Sequence, residues 1–379
     1  MSRTVFVHGI FGWGEEDFLW KVVPNWGMAC GDLMAYLRKE GHDVVSASVG
    51  PISGVWDRAC ELYAQLVGTR VDYGAAHAAR YGHARFGRTY EKALAPDWSK
   101  EAPLDLVGHS FGGTTIRLLA HLLENGAPEE MEASPEDVSP LFTGGKGSWV
   151  RTICCISTPH NGSSLFEAWP GYAGLIEWIG LSASKVMGIS ELKGIYDFKL
   201  EQFGFLKGEE EKFSEAVKHV AKMKLPENDW AKDDLKVDRA AELNRMICMV
   251  PGVRYISVPG KRTKKKARSE EEVPEFTMTA ALQPTARAMG KYIHKKTAGG
   301  TVFGPQWAAN DGLVNAISAR CPFGDPCEEI RMGGPLVPGV WNVLPVQHLD
   351  HLEAQGGTNP FIRRRIRRFY KELMTMIGN

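Results

Sequence analysis

Five residues, Gly108-His109-Ser110-Phe111-Gly112, constrain this chain more than any other stretch. An apolar run, Leu104-Asp105-Leu106-Val107, precedes them, and Gly113 to Ala120 reads as a helix. A serine between a strand and a helix sits on a sharp turn that lifts its hydroxyl clear of the backbone. Glycines two before and two after leave room for strand and helix to close on that turn. The helix N-terminus then points at Ser110, and its free N–H groups favour an oxyanion there. Such a serine is a nucleophile, and its context predicts an α/β fold: a mostly parallel central sheet flanked by helices.

The chain has 379 residues, enough for one large α/β domain with insertions. A formal net charge of zero gives no support to nucleic-acid binding, and no apolar run reaches the roughly 18 residues that cross a bilayer. The basic run Lys261 to Lys266 reads as a solvated loop. Seven cysteines include the adjacent Cys154 and Cys155 in a predicted strand, which points to buried, reduced thiols; a Cys321–Cys327 bridge stays open. Met1-Ser2-Arg3 runs straight into a strand without a signal peptide, so the chain as it stands is expected in the cytoplasm. A removed leader would leave the same start and would mean secretion.

Thr4 to Val7 is a short strand that ends in His8-Gly9-Ile10-Phe11-Gly12. A glycine-rich turn after an early strand supplies the second oxyanion donor in folds of this kind. Backbone N–H groups do this, which makes Ile10 and Phe111 the expected donors. Met28 to Lys39 carries helical spacing, and Trp56 to Val67 is amphipathic with Asp57 in its first turn. His77 and His83 are six apart, about 240° on a continuous helix, so they share no face unless Gly82 breaks the helix. If it does, the two imidazoles can converge on a metal with ligands from elsewhere; otherwise they are surface histidines.

Val150 to Ser157 is another buried-type strand, ending in Thr158-Pro159-His160 at the carboxyl edge of the sheet. Residues 163–194 follow, rich in large apolar side chains and poor in charge. Trp169, Tyr172, Leu175, Ile176 and Ile179 show helical spacing, and Leu181, Val186, Met187 and Ile189 show it less cleanly. A core helix and a mobile apolar cover both fit, and the position beside the nucleophile favours the cover. Asn310-Asp311-Gly312 is a turn with a carboxylate at its tip, and Gln347 to Glu353 carries His348 and His351. Pro360 to Ile377 is a final amphipathic helix.

Together these segments resemble the thermoalkalophilic bacterial lipases related to the staphylococcal lipases, within the α/β-hydrolase superfamily. The likeness is dense over Trp56-Asp57-Arg58-Ala59-Cys60-Glu61 and Val71 to Tyr90. It continues through Leu122 to Gly126, Ser139 to Phe142, Thr158-Pro159-His160 and Tyr196 to Leu200, and returns at Asn310-Asp311-Gly312 and Asp350-His351-Leu352-Glu353. The resemblance implies a triad of Ser110, Asp311 and His351, in the chain order this fold uses. It implies a structural zinc held by Asp57, His77, His83 and Asp234, in a subdomain built from residues 53–90 and 205–245, and a lid over 163–194. It also implies a calcium site near Glu353. There Thr358 and Asn359 replace an Asp and a Pro, and Thr277 replaces a carbonyl-donating Gly, so the site has lost a carboxylate. Where the family has Gln after the nucleophile, this chain has Phe111.

The expected function is hydrolysis of apolar, acylglycerol-type esters, with contact to a lipid–water interface through the lid. A phospholipase or a short-chain esterase on the same triad is the alternative. A non-catalytic binding protein on this fold is the reading from a different class.

Overall fold

A computed structural model of the chain describes residues 2–169, 174, 177–182, 189–205, 208 and 211–378. Seven parallel strands form the central sheet. Their spatial order is Cys327–Glu329, Trp341–Val343, Arg254–Val258, Val150–Ile156, Leu104–His109, Thr4–Val7 and Val44–Ala47. The inner strands are apolar on both faces, as a parallel sheet covered on both sides requires. Val5, Val7, Leu106, Ile153, Cys155 and Tyr255 pack with the helices Val55–Val67 and Phe111–Asn125. Phe6, Val107, Cys154, Ile156 and Ile256 pack on the opposite side with Leu33–Lys39 and Arg363–Gly378.

The first strand lies between Val44–Ala47 and Leu104–His109, so the direction of strand progression reverses there. Ligand sites of open parallel sheets form outside the carboxyl ends of strands at such a reversal. The turns after Val7 and after His109 meet at that point.

Several elements depart from the expected bounds. The Met28 to Lys39 helix is broken into a 3-10 turn, Met28–Cys30, and a helix, Leu33–Lys39. Gly31 at φ +82° stops the first, and the Asp32 carboxylate caps the second by accepting from Ala35 N. The basic run is solvated only in part: Lys264 to Lys266 are exposed, but Arg262 is buried. All seven cysteines are free thiols, Cys154 and Cys155 buried among them. Of the apolar stretch at 163–194, Leu165–Ala168 and residues 177–182 are helical. Tyr172, Leu175, Ile176, Val186 and Met187 lie outside the described residues. Among the described residues, no helix is long and apolar enough to cross a membrane.

Candidate functional site

Ser110 follows the Leu104–His109 strand directly and precedes the helix Phe111–Asn125. Its backbone is held at φ +56°, ψ −130°, a conformation that L-residues avoid and that persists only where the surroundings impose it. The imposing contacts are close. A Cβ on Gly108 would lie 2.4 Å from Gly113 N, and one on Gly112 2.2 Å from the Val7 carbonyl oxygen. Only glycine lets strand, turn and helix approach this nearly. Phe111 is the first helical residue, so its N–H has no acceptor within its own helix. Ile10 N–H donates to no backbone carbonyl of the described residues.

Ser110 and His351 line one cavity of about 60 Å³ with Gly9, Ile10, Leu313 and Ile179. His351 Nδ1 donates to Asp311 Oδ2 at 2.8 Å, and His351 N–H donates to the Asp311 carbonyl at 2.9 Å. The other carboxylate oxygen, Asp311 Oδ1, accepts from Leu313 N at 3.0 Å and Val314 N at 2.8 Å. Asp311 is thereby saturated and fixed, which sets one tautomer of His351 and leaves its Nε2 for the cavity. His348, the other histidine of this loop, turns outward to Glu275 at 2.6 Å. Ile179 brings the apolar stretch at 163–194 to the cavity, and Trp169 packs on Trp178 at 5.4 Å. Asn25 lines the same cavity with its amide nitrogen buried and unpartnered.

Three supporting residues were not singled out from the sequence. His109 Nε2 lies 3.1 Å from the His351 carbonyl oxygen, and the two rings are 4.6 Å apart. Burial, with the nearby His351, pushes His109 well below the ordinary histidine range, so it stays neutral. His8 Nδ1 donates to the Gly9 carbonyl at 2.8 Å, and burial, with Arg58, lowers its pKa to about 3. Arg58, fully buried, donates to the carbonyls of His8 and Gly50 and to Thr115 Oγ1 at 2.9 Å. It ties the turn after Val7 to the helix that starts beside Ser110. The available signal was its spacing: Arg58 falls on the apolar face of its helix, three from Val55 and four from Leu62.

A second constellation lies away from this cavity. Asp57, His77, His83 and Asp229 present ligand atoms that all lie within 4.8 Å of one another. Gly82 at φ +71° ends the helix Ala75–Tyr81 and turns His83 back toward His77. His77 Nε2 is 3.2 Å from Asp57 Oδ1 and 3.1 Å from Asp229 Oδ1. His83 Nε2 is 3.4 Å from Asp229 Oδ2 and 4.0 Å from Asp57 Oδ1. The outer atoms are held: His83 Nδ1 by the Ala84 carbonyl at 2.9 Å, Asp57 Oδ2 by Gln202 Nε2 at 2.9 Å. The Trp56 ring stacks on His77 at 5.1 Å. Yet His83 Nε2 and Asp229 Oδ2 are buried without a hydrogen-bond partner. Burial alone would keep His77 neutral, but Asp229 and Asp57 raise its pKa to about 9. The two carboxylates thus draw positive charge to the centre of the cluster, and this buried Asp/His group can hold a metal ion.

Its fourth member, and second carboxylate, is Asp229, where Asp234 was expected. An antiparallel bridge between Ser53 and Trp230 seats Asp229 against Gly54, next to Asp57. Asp234 points elsewhere: its Oδ2 accepts from Val55 N at 2.7 Å, and its Oδ1 faces Arg239 at 3.3 Å.

The expected calcium residues do not fit a calcium ion. Such an ion takes six to eight oxygen ligands, several of them carboxylates. Thr277 and Asn359 are exposed, and Asn359 Oδ1 accepts from Phe361 N at 3.0 Å. The carboxylate of Glu353 accepts from Asp350 N at 3.0 Å and faces Arg262 Nη2 at 3.5 Å. A cation is already in place.

A family model described as the lipase-like C-terminal domain matches residues 2–377. Lipase 2 of Staphylococcus aureus is 36% identical over 360 residues, covering 93% of this chain and 50% of that protein. A lipase of Staphylococcus epidermidis is 34% identical over 357 residues, with 93% and 49% covered. The chain thus spans about half the length of the curated relatives it matches. Among solved structures, EstA from Clostridium botulinum superimposes with a TM-score of 0.91 at 34% identity, over 99% of this chain and 87% of that one. Staphylococcus hyicus lipase does so with a TM-score of 0.81 at 28% identity, over 99% and 94%.

Proposed function

Because the chain belongs to this lipase-like family, we propose that it hydrolyses apolar carboxylic esters, acylglycerols among them, through an acyl-enzyme on Ser110. One observation carries the reading. The strained Ser110 shares a cavity with His351, whose far nitrogen is fixed by a fully satisfied Asp311.

In this mechanism Ser110 Oγ attacks the ester carbonyl carbon while His351 Nε2 takes the hydroxyl proton. Asp311 stabilises the imidazolium and keeps its own charge. The carbonyl oxygen becomes an oxyanion, received by the N–H groups of Ile10 and Phe111 and by the positive end of the helix. Collapse expels the alcohol, which takes the proton from His351. Water then enters and gives a proton to His351 as its oxygen bonds to the acyl carbon; the bond to Ser110 Oγ breaks, His351 returns the proton to that oxygen, and the acid leaves. His109, held neutral by burial, does not compete for that proton.

A cavity of about 60 Å³ is too small for a long acyl chain. Hydrolysis of lipids therefore needs the 163–194 stretch, which contributes Ile179, to move as a lid. If that stretch is fixed, the same triad serves only short esters. Covalent labelling of Ser110 by an organophosphonate tests the nucleophile. Rates on triolein, phosphatidylcholine and p-nitrophenyl butyrate separate lipase, phospholipase and short-chain esterase. A wild-type protein that neither labels at Ser110 nor turns over any of the three is a binding protein.

The ion proposed for the second constellation is a structural zinc. Zinc bonds of about 2.0–2.2 Å to nitrogen and oxygen put tetrahedral ligand atoms about 3.3 Å apart. The four measured separations, 3.1, 3.2, 3.4 and 4.0 Å, bracket that value. Two carboxylates and two imidazoles fill the coordination shell and leave no position for a reacting water.

A further inference from the structure

Arg262 lies beneath the loop that carries His351 and is almost fully buried. Its Nη1 donates to the His348 carbonyl at 2.9 Å and to His348 Nδ1 at 2.9 Å. Its Nη2 faces Glu353 Oε1 at 3.5 Å. His348 and Glu353 bracket His351. The backbone of the same residue reaches the other triad partner: Arg262 N–H donates at 3.0 Å to the carbonyl of Asn310, the neighbour of Asp311. The Arg262 carbonyl in turn accepts from Glu275 N at 3.0 Å. One residue thus joins the acid turn to both flanks of the base loop.

The charges close locally. Glu353 is a buried carboxylate beside Asp350, and Asp350 spends its oxygens on the N–H groups of Thr279, Leu352 and Glu353. A buried carboxylate needs a cation or many donors. No second carboxylate stands at Thr358 or Asn359 to compose a divalent-ion site. A guanidinium is planar, permanently charged and offers five donors in a fixed fork, so it can bind a carboxylate and a carbonyl at once. A calcium ion placed against Glu353 would meet that guanidinium as a like charge.

We propose that Arg262 is a built-in cation that replaces a divalent ion beside Glu353. It positions the His351 loop against the Asp311 turn, so that hydrolysis by this chain is independent of calcium. Arg262 touches neither substrate nor reacting atoms, and acts through His348, Glu353 and Asn310. The inference rests on the triad reading for its effect on turnover, but not for its effect on calcium binding.

The test uses the whole chain, kept in buffer with micromolar zinc and stripped of calcium. Ester turnover and melting temperature are then read with and without millimolar calcium. Neither should move in the wild type; a rise of more than about twofold in kcat, or of several degrees, overturns the proposal. Arg262→Gln should lower kcat for p-nitrophenyl butyrate by roughly tenfold or more, with KM within about twofold, as misplacement of a catalytic group does. Arg262→Lys keeps the charge without the fork and should recover only part of that loss. Methylguanidinium added to Arg262→Ala should restore turnover, an effect that a purely space-filling role would not produce. Full activity in Arg262→Gln, or rescue of that variant by calcium alone, counts against the proposal. If Arg262→Gln does not fold, the wild-type calcium series still decides. If the wild type proves inactive, the triad reading fails, while the calcium effect on melting still reads this one.

Discussion

The chain contains two buried constellations made from the same residue types, and they are wired in opposite ways. At Asp311 and His351 the carboxylate is saturated by two backbone N–H groups and one imidazole. The free imidazole nitrogen then faces a cavity beside a strained serine. At Asp57, His77, His83 and Asp229 the outer atoms of His83 and Asp57 are held, and the inner atoms converge, two of them without a hydrogen bond. The first arrangement holds a proton acceptor ready for one partner; the second gathers electron pairs around a point. Aspartate and histidine do not by themselves announce either role. What decides is which of their atoms the backbone has already satisfied.

The largest effects should separate the two constellations by readout. Ser110→Ala and His351→Ala should each lower kcat by about four to six orders of magnitude, and Asp311→Asn by about four. In all three the melting temperature should stay near that of the wild type. Near-normal hydrolysis by purified Ser110→Ala protein would falsify the triad assignment. The metal constellation should show the reverse. His77→Ala combined with His83→Ala, or Asp229→Asn alone, should lose the ion found by elemental analysis at about one zinc per chain. Stability should fall by about 4 kcal/mol at zinc concentrations roughly a thousandfold above Kd. Turnover per folded molecule should change only a few-fold. A chelator that abolishes turnover before it lowers the melting temperature would erase the contrast.

How much of this was legible in the sequence follows the range of the interactions involved. The sharp turn at Ser110 was legible because its strand, turn and helix are covalent neighbours, and Gly108 and Gly112 are demanded by contacts within or beside it. Asp311 and His351 are remote from Ser110 and were reached through the likeness to a known family. Within Asp229 to Asp234 the chain offers three aspartates, and only the bridge from Ser53 to Trp230 decides which one enters the cluster. The loss of a carboxylate at Thr358 was visible, but the guanidinium at Glu353 was not. Arg262 stands in a run of lysines that reads as solvent-exposed, and tertiary packing alone turns it inward.

A smaller effect should show whether the cavity beside Ser110 is permanently closed. Trp178 is half-buried and packs on Trp169, beside the Ile179 that lines the cavity. A lid makes activity on an emulsified ester rise faster than substrate concentration explains. Trp178→Ser should then blunt that rise with little loss of stability. A fixed core helix predicts no rise at the interface and a variant destabilised by about 3 kcal/mol or more.

The smallest effect tests the metal assignment most narrowly, because Asp229 and Asp234 are close in sequence and both buried. Their surroundings predict different outcomes for the same change. Asp234 accepts from Val55 N at the start of the Val55–Val67 helix, and it pairs with Arg239 at 3.3 Å. In Asp234→Asn the side-chain carbonyl can still accept from Val55 N. The loss is one charge near a helix N-terminus and one ion pair, about 1 kcal/mol in total. Zinc content should be unchanged. Asp229 has no such substitute role: Oδ1 meets His77 at 3.1 Å, and Oδ2 faces His83 Nε2 at 3.4 Å without a hydrogen bond. In Asp229→Asn a neutral amide replaces one of two carboxylates, and the ion should leave or bind far more weakly. The two single variants, measured side by side for zinc and melting temperature, therefore give opposite orders under the two assignments. Zinc lost from Asp234→Asn and kept by Asp229→Asn would return the fourth ligand to Asp234 and make the convergence of Asp229 incidental.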